Sequence, residues 1–313
     1  MTDAPEISTR SWIMVATLGL VWGASFLFIE LALTGIGPVW LAASRILLAS
    51  VLTHLVWQFR GGALYPTPSR ATLGNLLAIG AMSTALPFMF ISWGQQFVTA
   101  GFAGISMATV ALIVLPLAHF LIPGERMSLR RVLGFLIGFM GVVVLIGPQA
   151  LALTNQSGEI TGRLACIAGA TCYAVSSVLM RKLPPVDPIG LSAVTLWIGA
   201  ALITPFAFIA EGLPPVPTAT VVAVIAILGL VQTATANLLR IAVIRTAGPV
   251  FMSLTNYHVP VWSVVLGIVF LGEEVTAGLF VALVLILAGV FLSQWGALQR
   301  LFGRQDASSN QIR

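Results

Sequence analysis

From Ala71 to Gly124 the chain runs 54 residues without a single Asp, Glu, Lys or Arg. As one helix that stretch would be about 80 Å long at 1.5 Å per residue. The hydrocarbon core of a bilayer is only about 30 Å thick. The stretch therefore predicts two membrane crossings joined by a turn, placed near Phe97–Gly101. The rest of the sequence repeats this pattern at lower contrast. Hydrophobic residues make up 58% of the chain and charged residues 8%, at a mean hydropathy of +1.02. A soluble domain carries about 25% charged residues. This composition describes an integral membrane protein and excludes a soluble enzyme, a disordered chain and a secreted disulfide scaffold.

Cutting the chain where charge, Gly and Pro cluster gives ten candidate spans, at about 12–33, 38–57, 71–96, 100–122, 130–147, 162–181, 188–210, 218–244, 249–271 and 277–297. Each is close to the 20 apolar residues that a crossing helix needs. The expected fold is all-α, with ten transmembrane helices. The first run is too long for the apolar part of a cleavable signal and reads as a signal anchor. The polar ends, 1–10 and 300–313, are short.

A net charge of +5 with a pI near 10 resembles a nucleic-acid signal. The distribution of the charges argues otherwise. With the N-terminus in the cytoplasm, Arg10, Arg60, Arg70, Arg126, Arg130, Arg131, Arg181, Lys182, Arg240, Arg245, Arg300, Arg304 and Arg313 lie at the inner side. Arg163 alone falls outside, and Arg45 lies within a span. Glu159, Glu211, Glu273 and Glu274 fall outside. That is the positive-inside pattern. It places both termini in the cytoplasm and leaves no case for a nucleic-acid partner.

The chain repeats itself. Thr99-Ala100-Gly101 recurs as Thr246-Ala247-Gly248. Each is followed by a span containing a proline, Pro116 or Pro260, and each span ends in Gly-Glu, at Gly124-Glu125 and Gly272-Glu273. Trp22-Gly23-Ala24-Ser25 aligns with Tyr173-Ala174-Val175-Ser176. The halves are expected at 1–150 and 151–313, with five spans each. Five is odd, so the second half enters the membrane from the opposite side. Inverted repeats are typical of secondary transporters that alternate access around a midplane site.

These residues resemble the EamA-type, ten-span members of the drug/metabolite transporter superfamily. The resemblance rests on Leu20-Val21-Trp22-Gly23-Ala24-Ser25-Phe26, on Arg45, and on the doubled proline-span endings at Pro116…Gly124-Glu125-Arg126 and Pro260…Gly272-Glu273-Glu274. The Gly-rich fifth and tenth spans fit as well. The likeness covers about Ser11 to Gly296. It implies a carrier of small metabolites, often an exporter of amino acids or related compounds; other members carry nucleotide sugars and other solutes. Glu30 departs from the pattern, which assigns that position no role.

Ionisable residues inside a membrane are costly and mark candidate sites. Glu30, in the outer turn of span one, is suited to binding a cation or exchanging a proton. Alternatively it pairs with Arg45 on the next helix, and depth alone favours that pairing. Arg45 by itself suits a substrate carboxylate. His258 sits near the middle of span nine beside Asn256 and Tyr257, two residues before Pro260. Proline removes one helical hydrogen bond, and a polar cluster at such a break suits a cavity wall. Ser106 and Thr109 precede Pro116 in the same way, so spans four and nine are expected to form a symmetric pair. Span eight adds Gln232 and Asn237, and span six adds Tyr173 and Ser176. The plainer reading of these polar residues is interhelical hydrogen bonding. Trp22, Trp93 and Trp197 are candidates for an aromatic wall. Trp12, Trp40, Trp57 and Trp295, with His54 and His119, read as interface anchors. Arg240 either attracts anionic substrates or snorkels to lipid phosphate.

No Walker-type loop and no HExxH-type zinc site occur, and Asp3, Asp187 and Asp306 all fall in loops or tails. Cys166 and Cys172 point to different helix faces and read as packing residues. The expectation is therefore a non-enzymatic carrier without cofactor or metal, working as a monomer in the inner membrane. Its partners are the bilayer, a small-molecule substrate and, as a candidate, protons. The aromatic and amide lining favours amino acids or their derivatives. A drug-like cation is the second reading, and no midspan acid stands ready to neutralise it.

Overall fold

The computed structural model describes residues 7–61, 64, 71–147 and 158–309. Asp3, Arg70, Arg313 and the expected boundary between the halves at 150–151 lie outside the described residues. The helices are α1 (Thr9–Leu33), α2 (Pro38–Phe59), α4 (Ala100–Leu121), α5 (Leu129–Ile146), α6 (Glu159–Arg181), α7 (Pro188–Glu211), α8 (Ala219–Met252), α9 (Thr255–Leu271) and α10 (Ala277–Ser309). Between α2 and α4, helix α3 runs as Ala71–Gly80, a π-helical turn at Ala81–Ala85 and Leu86–Gly94. Among the described residues, nine helices are long and apolar enough to cross a bilayer, and the apolar Thr255–Leu271 completes the ten.

The helix ends follow from the local sequence. Thr99, Ser128 and Thr218 stand at the N-caps of α4, α5 and α8, and their hydroxyls accept from Phe102, Arg131 and Val221 N–H. Asp187 does the same for Gly190 in α7. Such caps satisfy amides that have no partner within the helix. The predicted turn between α3 and α4 falls where expected, at residues 95–99.

Span nine differs from its sequence reading. The sequence predicts one run over 249–271, whereas the chain leaves α8 at Gly248 with φ 87° and ψ 163°. It turns through Pro249–Met252 and starts again at Thr255. Proline disfavours helical backbone in the residue before it, and glycine alone takes a positive φ cheaply. The break therefore lies at Gly248-Pro249 and Ser253–Leu254, not at Pro260, which sits buried within a continuous helix.

The packing obeys the inverted symmetry. α2 packs on α7, α4 on α9 and α5 on α10, each with its own counterpart. The α1–α9 pair is matched by α6–α4, and α1–α8 by α6–α3. The α5–α10 pair closes through glycines. A Cβ on Gly134 would lie 2.6 Å from the Gly289 carbonyl, and one on Gly141 would lie 2.8 Å from Ile286. Small residues let helix backbones approach in this way where lipid gives no hydrophobic drive. A second π-helical segment, Ile227–Thr235 in α8, occupies the repeat position of Ala81–Ala85 in α3.

Candidate functional site

Arg45 is 5% exposed in the first half of α2, a helix that packs on the π-helical segments of α3 and α8. Its Nε and Nη2 donate to Thr233 Oγ1 at 3.2 and 3.1 Å. Its guanidinium lies over the Phe88 ring, 4.2 Å from the centroid. Thr233 Oγ1 donates in turn to the Leu228 carbonyl five residues earlier, at 2.7 Å. The π turn thus holds Thr233 with its lone pairs toward Arg45. Tyr173 of α6 packs edge-on to Phe88 and lies within electrostatic range of both Arg45 and Arg240. Arg240 of α8 donates to Asn237 Oδ1 at 3.5 Å, and Asn237 donates to Ser192 Oγ.

Neither arginine has a carboxylate partner among the described residues. The ion pairs there are Arg131 and Arg181 with Glu125, Arg163 with Glu159, and Arg245 with Asp187. Lone cations in a bundle are expensive unless hydrogen-bonded, stacked or offered an anion. A threonine hydroxyl and a phenylalanine face offset part of that cost for Arg45. The remaining positive potential, with Tyr173 in electrostatic range of both guanidiniums, is suited to an anionic group.

Trp22 joins this centre from α1, donating its Nε1 to the Gln232 carbonyl at 3.2 Å. Gln232 is 4% exposed, and its Oε1 has no hydrogen-bond partner. The structure therefore brings together Trp22, Arg45, Tyr173, Gln232 and Asn237 from the sequence candidates. Phe88, Thr233 and the two π turns were missed. Their signal, a threonine five residues from the carbonyl it bonds, is visible only once the turn type is known.

The other candidates sit elsewhere. Ser106, Thr109 and Ser176 are buried and donate to carbonyls of their own helices, those of Ala103, Ser106 and Tyr173. Trp93 packs on Phe97 and Trp197 on His54, both partly exposed and outside the arginine centre. His258 donates its ring N–H to the Leu254 carbonyl at 2.9 Å and faces Gly19 of α1. Beside it, Tyr257 Oη and Ser253 Oγ donate to Gln294 Oε1 at 3.5 and 2.9 Å. These residues and Asn256 flank the break before α9. Pro116 lies inside an unbroken α4.

The expected pairing of Glu30 with Arg45 does not form. Arg45 turns to α8 and α3, whereas Glu30 lies at the far end of α1 in a cavity of about 500 Å³ with Gln95, Thr99 and Glu273. Depth along the bilayer suggested the pair. Rotation about the two helix axes separates it. At this same end, Glu273 accepts from Ala100 and Gly101 N–H at 2.6 and 2.9 Å, so a carboxylate of the second repeat caps α4 of the first. Glu211 likewise accepts from Val39 and Trp40 N–H, at the start of α2, at 2.8 and 3.1 Å. A helix N-terminus offers free amides and a partial positive charge to such a group.

Ten apolar helices among the described residues, in an inverted two-fold arrangement, make a polytopic membrane protein, and its relatives make it a transporter. The chain belongs to the EamA-like transporter family, whose model matches residues 10–147 and again 160–295. Among similar proteins, an uncharacterized transporter of Bacillus subtilis, YoaV, is 22% identical over 89% of this chain and 94% of its own. A probable terminal-alkyne amino-acid exporter of Streptantibioticus cattleyicolor is 24% identical over 97% and 98%. An uncharacterized inner membrane transporter of Escherichia coli K12, YedA, is 25% identical over 89% of each chain. A solved crystal structure superposes with a TM-score of 0.65 at 21% identity, covering 94% of this chain and 99% of that one, and shares the fold.

Proposed function

We propose that this protein is a secondary transporter that exports small carboxylate-bearing metabolites, amino acids or their derivatives, by alternating access. The observation that carries this reading is the pair of Arg45, buried, and Arg240, half-buried, both within electrostatic range of Tyr173 and neither with a carboxylate partner among the described residues. A substrate carboxylate supplies the absent negative charge, and Arg is well shaped to bind it through two parallel hydrogen bonds. Trp22 and Phe88 supply apolar faces for the rest of the molecule. The amino-acid exporter among the similar proteins supports the same class. The same two cations disfavour a drug-like cation as substrate, since like charges would repel at close range.

The cycle proposed is rocking of one half against the other about the α4–α9 pair, with the Gly248-Pro249 and Ser253–Leu254 breaks as flexible points. The protein acts as a monomer without a catalytic step. It lies in the inner membrane with both termini in the cytoplasm, as the charge distribution and the E. coli relative support.

The test is counterflow in proteoliposomes with a labelled amino-acid mixture. Wild type should exchange label, Arg45→Gln should lose at least about tenfold, the equivalent of 1.4 kcal/mol of binding, and Arg45→Lys should retain part. Exchange of a quaternary ammonium dye in place of amino acids, or an Arg45→Gln rate equal to wild type, would overturn the reading.

A further inference from the structure

The cavity at the far end of α1 is built differently from the arginine centre. Its wall holds two carboxylates, Glu30 and Glu273, two amides, Gln95 and Gln96, and the Thr99 hydroxyl. Gln95 is 2% exposed. Its Nε2 donates to the Phe26 carbonyl at 3.0 Å, and because a carbonyl needs a donor, this bond fixes which end of the amide is nitrogen. Oε1 is thereby turned away from Phe26, and it has no hydrogen-bond partner. Glu30 Oε2 is also buried without a partner. The Glu30 carboxylate lies within range of the Glu273 charge, and the Gln95 amide faces it as a hydrogen-bond donor. Two buried oxygens, Glu30 Oε2 and Gln95 Oε1, therefore belong to side chains that line one cavity, each without a hydrogen-bond partner among the described residues and with a second carboxylate in the same wall.

Other charged and titratable groups on the helices packed against α1 lie elsewhere. Arg45 is held by Thr233, and Arg240 by Asn237. His258 faces Gly19, eleven residues before Glu30, which is about 16 Å along the helix. Tyr257 bonds Gln294, His119 of α4 bonds the Glu125 carbonyl, Arg245 pairs with Asp187, and His54 of α2 packs with Trp57 and Trp197. At the cavity's own end, Arg163 pairs with Glu159, donates to the Ile146 carbonyl and stacks over Phe102. Glu274 follows Glu273 on an exposed loop. None of these cations is placed to neutralise Glu30.

We propose that Glu30, Gln95 and Glu273 form a proton-binding site at the mouth opposite the arginine-rich loops, and that its occupation tightens the hold of Glu273 on α4. A hydronium proton from the cavity water bonds to Glu30 Oε2, the carboxylate oxygen that has no hydrogen-bond partner. Two neighbouring negative charges become one. Glu273 is then relieved of repulsion and keeps the amides of Ala100 and Gly101. When the proton leaves, Glu30 repels Glu273 and the cap loosens. The chemistry is a local charge change acting on a two-state contact. It does not depend on which substrate is carried.

Two measurements on the full-length protein in liposomes test this. Infrared difference spectra over a pH titration should show a protonated carboxyl carbonyl band that vanishes in Glu30→Gln and is unmoved by sodium at fixed pH. Hydrogen exchange at Ala100 and Gly101, at neutral pH, should be several-fold slower in Glu30→Gln than in wild type and faster in Glu273→Gln. A band that survives Glu30→Gln would overturn the site. So would its displacement by sodium, which would make this a metal-cation site. Equal exchange in wild type and Glu30→Gln would overturn the link to the cap. Because no substrate enters these assays, their failure leaves the carboxylate-transport reading intact, and failure of that reading leaves this one intact.

Discussion

Thr233 gives its one hydroxyl proton to Leu228 and keeps its lone pairs for Arg45. Replacing it with Val keeps the shape but removes the acceptor. A hydrogen bond to a buried charge contributes about 1.5–3 kcal/mol. Thr233→Val should therefore lower the thermal unfolding temperature in detergent and cut counterflow, and Thr233→Ser should restore both. An unchanged melting curve for Thr233→Val would show that Arg45 has other support. Arg45 itself was legible in the sequence as an intramembrane charge, but its partner was not. Hydropathy gives the depth of Glu30 and Arg45 and says nothing of their rotation about the helix axes, which tertiary packing decides. His258 shows the same limit. The sequence placed it in a polar cluster beside a proline, whereas its ring N–H serves a carbonyl of its own chain at the nearby break.

Among the elements, the helices and their ends were largely readable, because apolar runs, Thr, Ser and Asp caps and Pro starts are all local signals. The π turns of α3 and α8 were not. They add one residue to a turn, and such an insertion has no composition signature. Carboxylate caps from a distant helix are equally invisible until the two elements meet. Glu211→Gln should weaken the cap on α2, since a charge-assisted bond is about twice as strong as a neutral one. The expected loss is about 1–2 kcal/mol, read as faster hydrogen exchange at Val39 and Trp40. The α5–α10 contact makes a sharper demand. At Gly289 a side chain would be driven into the backbone of Gly134 and Gly138, which cannot rotate away. Gly289→Leu should cost about 1–3 kcal/mol or more through overpacking, seen as loss of monodisperse protein after extraction. Gly278, where a side chain would meet open space, should accept leucine without that loss.

For the whole molecule, the inverted pattern was legible because Thr-Ala-Gly and Gly-Glu recur at matching offsets across several spans. Orientation rests on charge alone. It predicts that a cysteine at Leu213, which is 82% exposed, reacts with a membrane-impermeant maleimide from outside intact cells, while one at Ser128 reacts only after lysis. The reverse result would invert the topology. The native cysteines, Cys166 and Cys172, are buried and should stay silent in this assay.

Glu273 is fastened to the start of α4, but its repeat counterpart Glu125 is not fastened to the matching residues, Ala247 and Gly248. It is tied instead to Arg131 and Arg181. A chain with two near-identical clasps has one done up and one held open. The two arginines are then the counterweight that decides which clasp is shut at rest. Removing them with Arg131→Gln and Arg181→Gln together should let Glu125 swing to Ala247 and Gly248 and shift the resting balance toward the opposite face. The expected sign is faster maleimide labelling of a cysteine placed at Gln96. Unchanged labelling would mean that the arginines carry no such weight.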